Sequence, residues 1–389
     1  MYSNINYRSS NILYRITLRP IRLLMFMIGA LPYEFQHEQK CSWLVFIWRL
    51  IHFTFVAIFL VWISILRFLS FHEVLYKEND MFSISMDMLS YSSLIIVHMV
   101  IYWENTWKAW QYKEIFDNFE LLRTKFKCEF QRSIDMGRIR LYAVLLYTLL
   151  AVYMIIVLFI IFIRYIKSLN GFRLILLQYG DTILKLKLIE FSIFVVIVMA
   201  FEMELNCYLE HYIKEIRRCQ FSDWPVKREL FEQIYILQDL HNILIVNVRY
   251  IEEYCCWSLP GLFLKMFFEF TITAYWIYFS YDFNIPAIFQ SYGYSVNTLN
   301  LIILFVICSI GSKCEMLDKQ LTNMLHMIKY ERYDPFLNAC LNEISLQMLH
   351  QKLYFTAGGF VDVNYSFMGK YIFSAICYIV ILIQFHMSV

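Results

Sequence analysis

The sequence predicts an all-α membrane protein with seven transmembrane helices, a cytoplasmic N-terminus, an extracellular C-terminus, and cytosolic helix extensions that form an anchor region. Three observations lead to this prediction. Of the 389 residues, 60% are apolar and only 17% are charged, whereas soluble domains are about 45–50% apolar. Seven stretches are long and apolar enough to cross a bilayer. The basic residues between them fall mainly on one side. The net charge of +2 gives no reason to expect nucleic acid, and we expect membrane lipid around the chain.

The predicted spans are runs of about 20 apolar residues, the length that crosses a bilayer. The fourth run is the least apolar, because Glu190, Glu202 and Glu204 fall inside it. The fifth opens at Pro260 and Gly261, which predicts a kink or a helix start there. The spans cover about 43–69, 82–107, 141–166, 184–208, 256–281, 294–314 and 366–386, within a single domain over 1–389.

The distribution of basic residues predicts the orientation. When residues at span ends are counted with the adjoining loop, 25 Lys and Arg fall on the side of the N-terminus and seven on the other side. Cytoplasmic loops collect Lys and Arg, so the N-terminus is predicted to lie inside. The apolar run 23–31 is short and is followed by no small-residue cleavage site. We therefore expect a packed or membrane-surface segment there, not a signal peptide.

Three inside segments are predicted to contain helices and to form the cytosolic anchor, over 108–135, 210–255 and 316–365. In each of them apolar residues recur at spacings of three and four, as in Ile115, Phe119, Leu122 and Phe126. The last of these helical patterns is predicted to run over 341–355. Such helices must bury one face, either against each other or against other subunits, and the spacing leaves both alternatives open.

Motifs of common enzymatic chemistry are absent from the sequence. It contains no Gly-x-Gly-x-x-Gly or Walker loop, no Cys-x-x-Cys, no His-Glu-x-x-His and no Gly-x-Ser-x-Gly. We therefore predict that the chain is not an enzyme and has no cofactor and no metal site.

Polar side chains inside the spans mark the candidate ligand pocket, since such groups are costly in lipid and face an interior or a cavity. Lys265 and Glu269 are four residues apart and are expected to pair with each other. The aromatic residues in the outer halves of the spans could instead form a belt at the membrane interface. The asparagines of the sixth span are better candidates, because such a belt does not need asparagine. The candidates, all predicted to lie toward the outer half, are Asp87, Tyr91, Glu190, Tyr275, Trp276, Tyr278, Asn297 and Asn300.

The C-terminal stretch resembles that of the insect gustatory receptors, which are ligand-gated cation channels related to insect odorant receptors. That family ends in Thr-Tyr, five apolar residues and Gln-Phe. Here the stretch reads Cys377, Tyr378, five apolar residues, Gln384 and Phe385, so only the first position departs. Three upstream segments are also similar to segments of that family: Gly-Ala-Leu-Pro-Tyr at 29–33, Leu-Gln-Asp-Leu-His at 237–241, and the segment 349–360. The resemblance covers the whole chain.

The resemblance implies an oligomeric channel. It implies a homotetramer, or a hetero-oligomer with other gustatory receptors, in the plasma membrane of gustatory neurons. Four copies of the last helix would line one pore, with Tyr378, Ile381, Gln384 and Phe385 as pore and gate candidates. Phe385 would close the pore and Gln384 would offer a hydrated lining, which agrees with the physics of apolar and amide rings.

The ligand class is a further expectation from the resemblance. The sugar-receptor branch tends to carry an acidic residue soon after the Tyr, where this chain has Ile379 and Val380. This favours small bitter or aversive tastants, with a fructose-type sugar as the alternative. A secondary transporter is the alternative of another class, but paired broken helices are absent from the pattern. The inverted orientation disfavours a G-protein-coupled receptor, so no G protein is expected to be required.

Overall fold

The computed structural model describes residues 17–27, 47–59, 61–62, 65, 81–131, 134–167, 171–218, 224–282, 287–327 and 335–388. Nearly all of these residues are helical, as the sequence predicts. In chain order the elements are α1 (Arg19–Met27), α2 (Ile47–Phe59), α3 (Met81–Trp107), α4 (Ala109–Phe130), α5 (Met136–Lys167), α6 (Gly171–Arg218), α7 (Trp224–Tyr254), α8 (Ser258–Asp282), α9 (Ala287–Met327), α10 (Pro335–His350), β1 (Thr356–Ala357), β2 (Val361–Asp362) and α11 (Tyr365–Ser388).

Several helices have the length and composition of membrane spans. Among the described residues, the stretches Met136–Phe159, Gly293–His326 and Tyr365–Gln384 qualify individually, and they correspond to the third, sixth and seventh predicted spans. The pair Glu232–Tyr254 and Ser258–Tyr278 qualifies together, bent by 57°. The predicted fourth span lies inside α6, and the described part of the first is the short helix α2. The count of seven spans stays a prediction.

Helix α6 is the centre of the fold. Every residue from Gly180 to Glu202 is buried, and the helix packs against α3, α5, α7 and α9. A helix buried on all faces is expected to be apolar all round, and this holds for the run from Ile193 to Phe201. Its charged residues therefore have to find partners on neighbouring helices, and this requirement creates the polar clusters described below.

The outer surface of α5 is apolar, as the surface of a helix that contacts lipid must be. Large apolar side chains are exposed along it, and they form a continuous apolar surface that water would solvate poorly. They include Leu141, Leu145, Val152, Ile155 and Phe159. Arg138 and Arg140 precede the run, as expected for basic residues at a membrane edge.

The helices α4 and α7 lie in two of the three segments that are predicted to contain amphipathic helices. Ile115, Phe119, Leu122 and Phe126 are all buried on α4, as their spacing predicts, and α4 packs along α7. The run 23–31, expected to be a packed or membrane-surface segment, is described only as far as Met27. In this part Met25 of α1 is buried in the main core, whereas Leu23, Phe26 and Met27 are exposed.

The prediction of a helix over 341–355 is wrong at its C-terminal end. Helix α10 stops at His350, and 352–355 is extended before the antiparallel hairpin of β1 and β2. Gly358 and Gly359 form the turn with φ values of 59° and 75°, a left-handed conformation that favours glycine. The apolar residues Leu353 and Phe355 are buried without continuing the helix.

The hairpin lies where α7, α8, α9 and α11 meet. The backbone N–H and hydroxyl of Thr356 both donate to Glu252 Oε1 of α7, at 2.6 Å each. On α9, the backbone of Gly311 is so close to Val363 that an added Cβ would lie 2.1 Å from its carbonyl oxygen. Asn364 then caps α11 by accepting the Phe367 N–H at 3.1 Å. The chain thus enters its last helix from a tightly packed junction.

Candidate functional site

Three polar clusters are spaced along α6, each linking it to other helices. From Asp181 in the first to Glu202 in the last is 21 residues, or about 30 Å of helix, close to the thickness of a bilayer core. We name them the lysine cluster (Asp181, Lys185, Lys265, Glu269, Asn297, Asn300), the bend network (Arg22, Glu104, Asn105, Lys108, Lys187, Glu190, Tyr254) and the histidine cluster (Glu202, His241, Asp318).

The lysine cluster joins α6 to α8 and α9. Lys265 of α8 lies 3.4 Å from Glu269, the pairing that the sequence predicts, and 3.9 Å from Asp181 of α6. The ammonium of Lys185 donates to Asn300 Oδ1 of α9. The same ammonium lies 5.8 Å from the ring centroid of Tyr153 on α5. The buried Lys185, Lys265 and Asp181 thus lie together with the half-buried Glu269, which gives the cluster equal numbers of basic and acidic side chains.

Two amide groups of the lysine cluster retain unused hydrogen-bonding atoms. Asn297 donates to the carbonyl oxygen of Phe270 at 3.3 Å, but its Oδ1 has no partner among the described residues. Asn300 accepts from Lys185, and its Nδ2 likewise has no partner in the described part of the chain. Buried polar atoms are nearly always hydrogen-bonded, so this acceptor and donor, one helical turn apart, are suited to a polar ligand.

The aromatic candidates lie further along α8. Tyr275 and Trp276 contact each other with ring centroids 5.8 Å apart. Tyr275 is fully buried, whereas Tyr278 is exposed. All three follow Phe270, the residue that Asn297 contacts, by about two turns of helix. They therefore border the end of the lysine cluster that is nearer the C-terminus of α8.

The other candidates are distributed differently. The side chains of Asp87 and Tyr91 lie outside the described residues. Glu190 lies in the bend network, apart from Asn297 and Asn300. Conversely, Lys185 and Asp181 are not among the candidates predicted from the sequence, although their spacing of four residues on an apolar helix places them on one face. That spacing was the signal that could have identified them.

The bend network surrounds the break between α7 and α8. Glu190 of α6 lies 2.9 Å from Lys187 and 3.6 Å from Arg22 of α1. Both cations also face aromatic rings: Arg22 lies 3.7 Å from the centroid of Tyr112, and Lys187 lies 3.8 Å from that of Tyr254. Buried charges require this degree of pairing, so we assign Glu190 a role in holding α1 against the bundle.

Glu104 of α3 caps the start of α8. Its carboxylate accepts the backbone N–H of Trp257 at 2.8 Å and that of Ser258 at 3.3 Å, and it lies 3.3 Å from the ammonium of Lys108. The first N–H groups of a helix have no intrahelical acceptor, and a negative charge there is favourable. One buried side chain therefore stabilises the 57° bend between α7 and α8.

Helix α11 carries the pore candidates. It packs against α8 and α9 through Tyr371, Ala375 and Leu382, which are buried. Tyr378 lies beside this stripe, with its ring centroid 5.4 Å from that of Phe267. Ile381 and Gln384 are exposed in the single chain. The side chain of Phe385 lies outside the described residues.

These features define a class: a mostly helical membrane protein with several apolar helices, in which buried polar clusters connect one central helix to its neighbours. The sequence profile of the family described as 7tm Chemosensory receptor matches residues 18–389. The chain therefore belongs to the 7tm chemosensory receptor family. It is a chemosensory receptor and not an enzyme.

Relatives and solved structures agree with this assignment. The chain is 26% identical over 380 residues to a protein named gustatory receptor 98a in Drosophila melanogaster, covering 97% of this chain and 93% of the relative. It is 26% identical over 218 residues to gustatory receptor 98b of the same fly, and this match covers 54% of this chain and 52% of the relative.

The fold is similar to that of the insect olfactory receptor OR5 from Machilis hrabei. The TM-score is 0.64 to the complex of that receptor with eugenol, at 10% identity, covering 95% of this chain and 98% of that one. It is 0.63 to the receptor alone, at 11% identity, covering 94% and 97%. At these identities the likeness shows the fold.

Proposed function

We propose that this chain is a gustatory receptor subunit that acts as a ligand-gated, non-selective cation channel for small-molecule tastants of the bitter or aversive class. The observation that carries the proposal is the family match over 18–389, which covers nearly the whole chain and includes the terminal helix α11. The likeness in fold to an insect olfactory receptor solved with eugenol supports a small-molecule ligand.

The proposed topology has seven spans with the N-terminus in the cytoplasm and the C-terminus outside the cell, in the plasma membrane of gustatory neurons. The excess of Lys and Arg on the N-terminal side supports it. The exposed apolar surface of α5 supports contact of this helix with lipid. The anchor over 108–135, 210–255 and 316–365 would include α4, α7 and α10.

The proposed pore is formed by four copies of α11, in a homotetramer or in a hetero-oligomer with related receptors. Support comes from Ile381 and Gln384, which are exposed on a helix that packs on its own chain along one stripe. A ring of amides can replace part of the hydration shell of a cation, and an apolar ring can dewet and block the pore. We assign these roles to Gln384 and Phe385, with Tyr378 beside them.

The proposed ligand site is the lysine cluster together with Tyr153 and the adjacent aromatic residues of α8. Binding sites combine aromatic walls with a few placed polar groups. A ligand with a hydrogen-bond acceptor would bind Asn300 Nδ2 and Lys185, and a ligand hydroxyl would donate to Asn297 Oδ1. To open the channel, the ligand must bind the open state more tightly than the closed state.

The same polar atoms favour a second candidate within the family, a receptor for a fructose-type sugar. Sugars offer several hydroxyls, each a donor and an acceptor, and the amides of Asn297 and Asn300 suit both roles. A purely apolar bitter compound would leave these buried groups unsatisfied, at a cost of about 1–3 kcal/mol for each group.

The experiment that tests the proposal is expression in cells that lack other gustatory receptors, with a calcium readout and a panel of sugars and bitter compounds. We expect a response to a subset of bitter compounds. A response to fructose alone would select the second candidate. Antibody access to a terminal tag on intact cells tests the topology, and an extracellular N-terminus would contradict the channel assignment.

A further inference from the structure

The histidine cluster joins three helices at the opposite end of α6 from the lysine cluster. His241 Nε2 of α7 lies 2.9 Å from Asp318 Oδ1 of α9 and 3.7 Å from Glu202 Oε1 of α6. These three side chains are at most 4% exposed. One donor atom from each residue lies within 4.8 Å of the others. The arrangement therefore presents one nitrogen and two oxygens to a common point.

Glu202 gives a second, independent observation. Its side chain is 0% exposed, and neither carboxylate oxygen has a hydrogen-bond partner among the described residues. A buried carboxylate without hydrogen bonds is costly unless a positive charge compensates it. Among the described residues, the one basic side chain that pairs with Glu202 is His241, and His241 also pairs with Asp318. The pair of carboxylates is thus short of positive charge.

We propose that the histidine cluster binds a divalent cation of the zinc class through His241 Nε2, Asp318 Oδ1 and Glu202 Oε1. Imidazole nitrogen and carboxylate oxygen bind such ions at about 2.0–2.2 Å, which places tetrahedral ligand atoms about 3.4 Å apart. The two distances from Nε2 bracket that value. A divalent charge also neutralises the two carboxylates, and a fourth position is left for a water molecule.

The position of Asp318 indicates what the metal would do. Its second oxygen, Oδ2, accepts the backbone N–H of Leu353 at 3.1 Å, which orients the carboxylate as outer hydrogen bonds orient metal ligands. Leu353 belongs to the extended segment that leads into the hairpin and α11. The ion would therefore fasten α6, α7 and α9 together and hold the segment that enters the terminal helix.

The metal-free alternative is a protonated His241 shared between the two carboxylates. The two alternatives predict different metal contents for the same protein, whatever ligand opens the channel. They also predict different responses to a chelator. A metal-held cluster would lose stability when zinc is removed, whereas a metal-free cluster would not.

The test uses the full chain, purified in detergent with a non-metal-binding tag, incubated with zinc and then desalted. Elemental analysis by mass spectrometry measures zinc per chain, and fluorescence-detected size exclusion measures the melting temperature with and without a zinc chelator. The variants are Glu202→Gln, which keeps the side-chain shape, and Asp318→Asn. The matched control is Glu204→Gln, a carboxylate on the same helix outside the cluster.

The proposal predicts about one zinc per chain in the wild type and in Glu204→Gln. It predicts a loss of affinity of at least about 100-fold in Glu202→Gln and Asp318→Asn. The chelator should lower the melting temperature of the wild type and of the control, and leave Glu202→Gln unchanged. Substoichiometric zinc in the wild type with no effect of the chelator would overturn the proposal. Equal zinc in Glu202→Gln and Glu204→Gln would do the same. If Glu202→Gln does not fold, the wild-type zinc content and chelator response still decide.

Discussion

The substitution Glu104→Gln tests whether one carboxylate stabilises the bend between α7 and α8. Glu104 is fully buried and faces three donors: the N–H groups of Trp257 and Ser258 and the ammonium of Lys108. A glutamine has the same shape, but it offers one carbonyl oxygen and two donor hydrogens. At least one of the two backbone donors is then left facing another donor.

The expected loss can be estimated from these contacts. Leaving a buried donor unsatisfied costs about 1–3 kcal/mol, and a hydrogen bond to a charged group contributes about 1.5–3 kcal/mol. Lys108 retains the carbonyl oxygen of Glu253 as an acceptor, so its loss is smaller. We expect Glu104→Gln to lower the free energy of unfolding by about 2–4 kcal/mol.

The assay is the melting temperature of the detergent-solubilised chain by fluorescence-detected size exclusion. A loss of this size corresponds to a decrease of about 2–5 °C for a protein of this length. Glu114→Gln is the matched control, because Glu114 is an exposed carboxylate on α4, and surface changes of this kind cost at most about 0.5 kcal/mol. A melting temperature of Glu104→Gln within about 1 °C of the control would refute the capping argument.

Three further predictions follow from close contacts and from the proposed pore. Gly311→Ala should destabilise the chain by about 1–3 kcal/mol, because its Cβ would lie 2.1 Å from Val363 O. The control Gly369→Ala should not destabilise the chain, because its added Cβ meets nothing within 4 Å. Equal melting temperatures of Gly311→Ala and Gly369→Ala would contradict this prediction. Asn300→Ala removes the acceptor of Lys185 and should raise the half-maximal tastant concentration at least about tenfold in calcium recordings. Thr298 is exposed, so the control Thr298→Ala should leave that concentration unchanged. Phe385→Ala should raise the resting current in whole-cell recordings, because an apolar gate loses its bulk, and a normal closed current would argue against that gate.

The periodicity of apolar residues predicts the helices well. In α4, Ile115, Phe119 and Phe126 are buried where the spacing of three and four places them, because one face of that helix meets α7. The Pro260 signal also corresponds to the observed break, since proline belongs in the first turn of a helix. These features depend on residues that are close together in the chain, so they can be predicted from a single sequence.

The polar clusters could not be assembled from the sequence. Glu190 and Asn300 both lie within predicted spans, but the sequence does not state that one meets Arg22 and the other meets Lys185. These partners are 168 and 115 residues away in the chain. Each pairing depends on which helices pack together, and that depends on the whole bundle. The end of α10 is not predictable from local sequence for a similar reason, since the Leu353 N–H donates to Asp318 of a different helix.

The measurement that tests the central claim most directly is planar-bilayer recording of the purified full chain, with an active tastant from the cell panel. We predict tastant-dependent openings that conduct cations, with a conductance that changes in Gln384→Ala and is unchanged in Glu114→Gln. Openings with the same conductance in all three proteins would show that α11 does not line the pore. No openings with any active tastant would contradict the assignment of this chain as a ligand-gated channel.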